Sequence, residues 1–268
     1  MNRANMQAIH YPQFHWAAAM LLLFLFSCKK DESKNTTFSP DIFYRQMATL
    51  TLEVAYEPGA EPYDFSSSGA NIWEFAEMNI ESLFVQRPVR LDAVVPRGIN
   101  AMRQIPAQNQ TGYAAEDILN LASRYRSTEG TETDGNIFVL FLDGYFKQDD
   151  TLRQSVAGVH LTGTTVTAVF KPLVTTSHVT RAVREFVEQS IVIHETGHVL
   201  GLVNNGVRLT TAHEDLAHEA HCTNANCVMY WANERSSNVA LFVQSYFGGS
   251  RKMIFGSECA ADVTNYFP

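Results

Sequence analysis

Two histidines four residues apart, with a glutamate directly after the first, are the part of this chain best suited to chemistry: His194-Glu195-Thr196-Gly197-His198. On a helix, positions i and i+4 share a face, so both imidazoles can reach one ion. Neutral imidazole suits zinc. Glu195 projects beside the pair without being a ligand, placed to take a proton from water that the ion has made acidic. Two ligands and a general base thus come from one helix, and the chemistry they suit is metal-assisted hydrolysis. The five-residue pattern also arises by chance, as a helix with two exposed histidines. Here Val183, Phe186, Val187, Ile191 and Val192 bury much of the same helix and bring the pair close to a core.

A catalytic zinc has three protein ligands and one open position. Five of the nine histidines lie between 194 and 221, which leaves His213, His218 and His221 as candidates for the third. Gly201 lets the chain leave the helix with positive φ. Asn204-Asn205-Gly206 reads as a turn, and an amide is a poor zinc ligand beside imidazole.

His194 to Leu202 resembles the HExxHxxG signature of the metzincin metallopeptidases, in which the third ligand would fall at Asn204. His221-Cys222-Thr223-Asn224-Ala225-Asn226-Cys227-Val228-Met229 resembles the HCx4CxM segment of the archaemetzincins. The interval from His221 to Met229 and the Met229-Tyr230 pair are similar to those of matrixins. The resemblance implies a zinc-dependent endopeptidase acting on polypeptides, with Zn2+ on His194, His198 and His221, Glu195 as the catalytic base and Met229 as the Met-turn residue beneath the site. On that reading Asn204 to Ala220 is an insertion, and His213 and His218 belong to a polar surface loop or to a second metal site. The implied fold is α/β. It has a twisted, mostly parallel sheet with an antiparallel edge strand within 155–170, an active-site helix, a Met-turn and a small C-terminal subdomain. Archaemetzincins carry a later CxxC that completes an all-cysteine zinc site. Only Cys259 follows here, so the expectation in an exported protein is a Cys222–Cys227 disulfide, with Cys259 free or replacing one of the two. Two other functions fit the same motif: a surface lipoprotein that binds a partner without catalysis, and a zinc amidase acting on cell-wall peptides.

The N-terminal region sets the location. An apolar run from Ala17 to Phe26 is shorter than the about 20 residues that a membrane-crossing helix needs. It fits a secretory signal, and Leu25-Phe26-Ser27-Cys28 resembles a bacterial lipobox. The expected organisation is a signal peptide at 1–27, a tether at 28–40 and a catalytic domain at 41–268. The protein is then expected to be exported and anchored to a bacterial outer membrane by lipid on Cys28. Its 268 residues, 46% of them hydrophobic and 18% charged, are ordinary globular composition. A net charge of −8 argues against a nucleic-acid partner. A monomer is expected.

The positioning elements follow from periodicity. Leu50, Leu52, Val54 and Tyr56 alternate as in a strand within 47–56. Ile72, Phe75, Ile80, Leu83 and Phe84 share a helical face within 70–85. Residues 89–95 read as a short strand, and 114–126 as a helix with Ile118, Leu119 and Leu121 inward. Ile137 to Leu142 is apolar throughout, as in a central strand. Residues 155–161 and 164–170 form a strand pair joined by a Thr-Gly turn, and a long helix runs over 179–200.

Overall fold

The computed structural model describes residues 38–66, 69–178, 180–246 and 253–266. The expected signal peptide 1–27, Cys28 and the tether up to residue 37 lie outside the described residues. Residues 38–40 are applied to the domain: Phe38 meets Phe43 edge-on, and Pro40 lies against Gly201 and Gly206.

In chain order the elements are α1 (Ile42–Arg45), β1 (Thr49–Tyr56), α2 (Glu74–Phe84), β2 (Asp92–Val94), β3 (Arg103–Gln104), β4 (Gly112–Tyr113), α3 (Ala115–Tyr125), β5 (Asp134–Leu142), β6 (Tyr145–Gln148), β7 (Thr151–Arg153), β8 (Gly158–His160), β9 (Val166–Phe170), α4 (Lys171–Thr176), α5 (Arg181–Val199), α6 (Ser236–Tyr246) and α7 (Ser257–Asn265). The main sheet runs β2-β1-β5-β9-β8, with β3 also on β1. Its pairs are parallel except β8 on β9, which makes β8 an antiparallel edge strand. A mixed α/β architecture with a mostly parallel sheet and an antiparallel edge is therefore present. A second small sheet, β4-β6-β7, has no counterpart in the sequence reading.

Burial explains the order. Every residue of β5 from Gly135 to Leu142 is buried. Successive side chains point to opposite faces, so both faces of this strand are covered, as a central parallel strand requires. Leu50, Leu52, Val54 and Tyr56 are all buried on β1. On α3 the inward residues are Ile118, Leu121 and Ala122, an i, i+3, i+4 set. Leu119 is 40% exposed, because one residue past Ile118 the helix has already rotated toward solvent. α2 starts at Glu74 rather than Ala70, since the Asn71 side chain accepts from the Trp73 amide and forms a turn just before it.

The long helix α5 is fastened by charge as well as by apolar contacts. Glu188, fully buried, pairs with Lys171 at the start of α4 and also accepts from the Tyr63 amide at 2.6 Å. Lys171 Nζ sits 3.9 Å from the centre of the Tyr63 ring. Burial pushes the Glu188 carboxyl up to about 7 against the pull of Lys171. Because its folded value lies above the unfolded one, its ionisation works against the fold as pH rises from the ordinary glutamate range toward 7. Removing the cation leaves a buried carboxylate alone. Lys171→Met should therefore lower stability at neutral pH by about 3–5 kcal/mol in urea melts. The deficit should shrink as pH falls below 7 and Glu188 takes up a proton. An equal deficit at both pH values would mean that the loss is one of packing and not of charge.

Candidate metal centre

α5 carries His194, Glu195 and His198 into the protein interior, where all three are buried. Their neighbours explain how so polar a stretch can sit there. Gly197, between the histidines, is approached by Met229: a Cβ on Gly197 would meet Met229 Sδ at 2.3 Å and Phe255 at 3.3 Å. Met229 thus lies flush against the turn of helix that bears the imidazoles. The helix ends at Val199, Gly201 has a φ of +77°, and Asn205 Nδ2 donates to the His198 carbonyl at 3.1 Å. Beyond it, Asn204 Nδ2 donates to Glu214 at 2.9 Å, which engages Asn204 away from the histidines.

A relay of hydrogen bonds orients His194. The Asn79 side-chain oxygen on α2 accepts from the Ile254 amide at 2.8 Å. The Ile254 carbonyl accepts from the Val228 amide at 2.8 Å, and the Val228 carbonyl accepts from His194 Nδ1 at 2.7 Å. A carbonyl can only accept, so Nδ1 of His194 carries the proton and Nε2 presents its lone pair. His221 is arranged the same way: Nδ1 donates to the Glu219 carbonyl at 2.9 Å. Its backbone is held by a tight loop in which the Asp215 amide bonds the His221 carbonyl and Ala220 adopts a φ of +63°.

The structure brings His194, His198, His221 and one further residue, Glu234, together, with their ligand atoms all within 4.8 Å of one another. Nε2 of His198 is 3.1 Å from Nε2 of His194, and Glu234 Oε1 is 2.8 Å from Nε2 of His221. With its Nδ1 proton committed to Val228, His194 turns the Nε2 lone pair toward His198, and the Glu234 carboxylate joins the group at His221. Imidazole nitrogens and a carboxylate gathered this closely attract a cation, be it a proton or a metal ion. Burial, with His194 and His221 adding to it, holds His198 well below the usual imidazole range, so it is neutral. Burial also works against a charge on His221, but its bond to Glu234 outweighs this and raises its affinity for a proton. The donor set therefore fits a divalent ion. Glu234 was not singled out in the sequence. It stands five residues beyond Met229, with no spacing rule to mark it.

Glu195 lies next to this group. Its Oε1 is buried with no hydrogen-bond partner. Burial raises its carboxyl well above the usual range, the Glu234 charge adds to this, and the backbone N–H of His160 on β8 opposes it. β8 comes this close because residue 158 is glycine: a Cβ there would meet Ile191 at 2.5 Å and Glu195 Oε1 at 2.8 Å. A buried acceptor without a donor marks a place for water or substrate.

The other two candidate ligands lie elsewhere. His218 stacks on Trp231 with ring centres 4.0 Å apart and bonds Asp215 at 2.9 Å. His213 is buried in a second group with Cys222 and Cys259, whose donor atoms also lie within 4.8 Å of one another. Here the expected disulfide is corrected: Cys222 and Cys227 are both free thiols, and so is Cys259. Cys227 Sγ is 3.6 Å from Cys259 Sγ, and His213 Nδ1 is 3.3 Å from Cys222 Sγ. The thiols face one another and an imidazole instead of forming a pair. Hydrogen bonds from Cys227 and Cys259 hold Cys222 far below the usual thiol range, at about 2. His213 Nε2 bonds Asp262 at 2.6 Å, an arrangement that fixes the ring and turns Nδ1 toward sulfur. Two sulfurs and one nitrogen converge here, a donor set that could hold a metal ion. The sequence missed it because Cys259 and Asp262 are brought to the loop by α7, from some forty residues away.

No protein-family model matches the chain, and no curated protein does. Among solved structures, the chain is similar to a zinc-dependent peptidase from Methanocorpusculum labreanum (strain Z), with a TM-score of 0.41 and 13% sequence identity, over 80% of this chain and 99% of that one. A likeness that weak says nothing about chemistry.

In protein unfolded without reductant, Cys222, Cys227 and Cys259 should each be alkylated by iodoacetamide, as read by peptide mass spectrometry. A linked peptide joining Cys222 to Cys227 would restore the disulfide.

Proposed function

We propose that this chain is a zinc-dependent endopeptidase of metzincin type, in which His194, His198 and His221 hold the ion and Glu195 is the catalytic base. The observation that carries the reading is the unpartnered, buried carboxylate oxygen of Glu195 beside three convergent imidazoles. Zinc held there would act as a Lewis acid toward a peptide carbonyl and make water acidic enough to attack at neutral pH. Glu195 takes the proton of the attacking water on its free oxygen and later delivers it to the departing amine nitrogen. Its raised proton affinity favours the first half of that exchange, the uptake of the proton from water. His194 and His221 keep their Nε2 atoms aimed inward through the Val228 and Glu219 carbonyls. Met229 supports the floor by packing against Gly197, and does not need to coordinate.

The substrate on this reading is an extended polypeptide laid along the edge strand β8, whose outer side is next to Glu195. The protein works outside the cell, held to a bacterial membrane through lipid on Cys28.

Glu195→Gln keeps shape and hydrogen bonding but cannot accept the proton. It should retain zinc at wild-type stoichiometry by elemental analysis while casein cleavage falls by about 10²–10⁴-fold. Wild-type cleavage in that variant would remove Glu195 from the mechanism.

A further inference from the structure

Glu234 is the one member of the histidine group that the proposed reaction does not use. It closes a short 3₁₀ turn, Trp231–Glu234, that begins two residues after Met229. Its Oε1 lies 2.8 Å from Nε2 of His221, 3.7 Å from Nε2 of His194 and 3.9 Å from Nε2 of His198. One carboxylate oxygen thus faces all three ring nitrogens. For a tetrahedral ion with zinc–nitrogen and zinc–oxygen bonds of about 2.0–2.2 Å, ligand atoms stand about 3.3–3.5 Å apart. The separations here, 3.1 Å between His194 and His198 included, lie on either side of that value. A salt bridge to His221 alone would not require the oxygen to approach the other two rings.

We propose that Glu234 is a fourth protein ligand of the ion, filling the position that a hydrolytic site keeps open, and that it must withdraw before substrate is cleaved. This rests on the zinc reading above. Three histidines and a carboxylate form a closed shell, the mark of a structural site, whereas the unpartnered Glu195 oxygen is the mark of a catalytic one. Both hold if Glu234 exchanges in and out. Its surroundings allow this. The side chain is 34% exposed, the most open of the four.

The turn that carries Glu234 is also fastened to the residues just before the edge strand. The Glu234 carbonyl accepts from the Ala157 amide at 2.9 Å, and Arg235 bridges to Val156 in antiparallel fashion, directly before β8. The segment therefore takes up the start of the edge strand with its backbone while its side chain takes up the metal position. Behind the turn, Asn233 Nδ2 donates to the Cys227 and Val228 carbonyls, which gives the segment a fixed base to swing from.

The test uses the full chain in wild-type, Glu234→Gln and Glu234→Asp forms. Zinc affinity is read by competition with a chromophoric chelator, and coordination by the visible spectrum of the cobalt(II)-loaded protein titrated with acetohydroxamate. If Glu234 ligates, both variants bind zinc at least about tenfold more weakly, a loss no smaller than removal of an outer-shell partner causes. Their cobalt band also shifts, and acetohydroxamate perturbs it at lower concentration than in the wild type. Unchanged affinity with superimposable spectra overturns the proposal and leaves the zinc reading standing. A wild-type protein that takes up no metal overturns both. Should neither variant fold, the wild type decides alone: a cobalt band that resists acetohydroxamate until the reagent is in large excess supports a filled position, and a band that shifts at stoichiometric reagent shows one already open.

Discussion

Three imidazoles with a ring nitrogen of each aimed at one point are the constraint on which the rest of this structure depends. Two of them are given by helix geometry, since four residues return the chain to the same face of α5. The third must arrive from a loop, with its ring turned the right way. The Val228 and Glu219 carbonyls do the turning by capturing the Nδ1 protons of His194 and His221. Val228 is itself held by Ile254, and Ile254 by the buried Asn79 of α2. A side chain more than a hundred residues before the metal motif thereby sets the tautomer of its first histidine.

The same loop is secured from its other side by the thiol group. Cys222 directly follows His221, and Cys227 lies two residues before Met229. Both are tied to α7 through Cys259, and His213 is tied to it through Asp262. Gly197 and Gly158 have a comparable part in the opposite sense: each omits a side chain so that another group can close in, Met229 in one case and the edge strand in the other. The interior around the site is polar to an unusual degree for a helix so deeply covered. Glu188 meets this with a lysine, His194 with a carbonyl, and Glu195 leaves one oxygen without a partner.

What could be read from the chain was local. Period-two alternation located β1, an apolar run located β5, and the heptad-like spacing of Val183, Phe186, Val187, Ile191 and Val192 located α5, because these patterns record which face of one element is covered. The sequence also singled out His221, which the loop does bring to the other two histidines. The groups that were missed arise from convergence between distant segments. Nothing in the stretch after Met229 tells Glu234 from Glu219 or Glu214, and only the folded turn aims it inward. Cys259 looked solitary because its neighbours are an α-helix and two loops away. Leu119 was assigned to the wrong side of α3 for a smaller reason: one residue of helix turns a side chain by about 100°, and a run of two apolar residues does not say which of them is inside.

The most direct test of the central claim is anomalous diffraction at the zinc edge from crystals of the protein grown with zinc. The account predicts a peak among Nε2 of His194, His198 and His221, at about 2.0–2.1 Å from each. An empty position there, even with zinc bound at the cysteines, would contradict it.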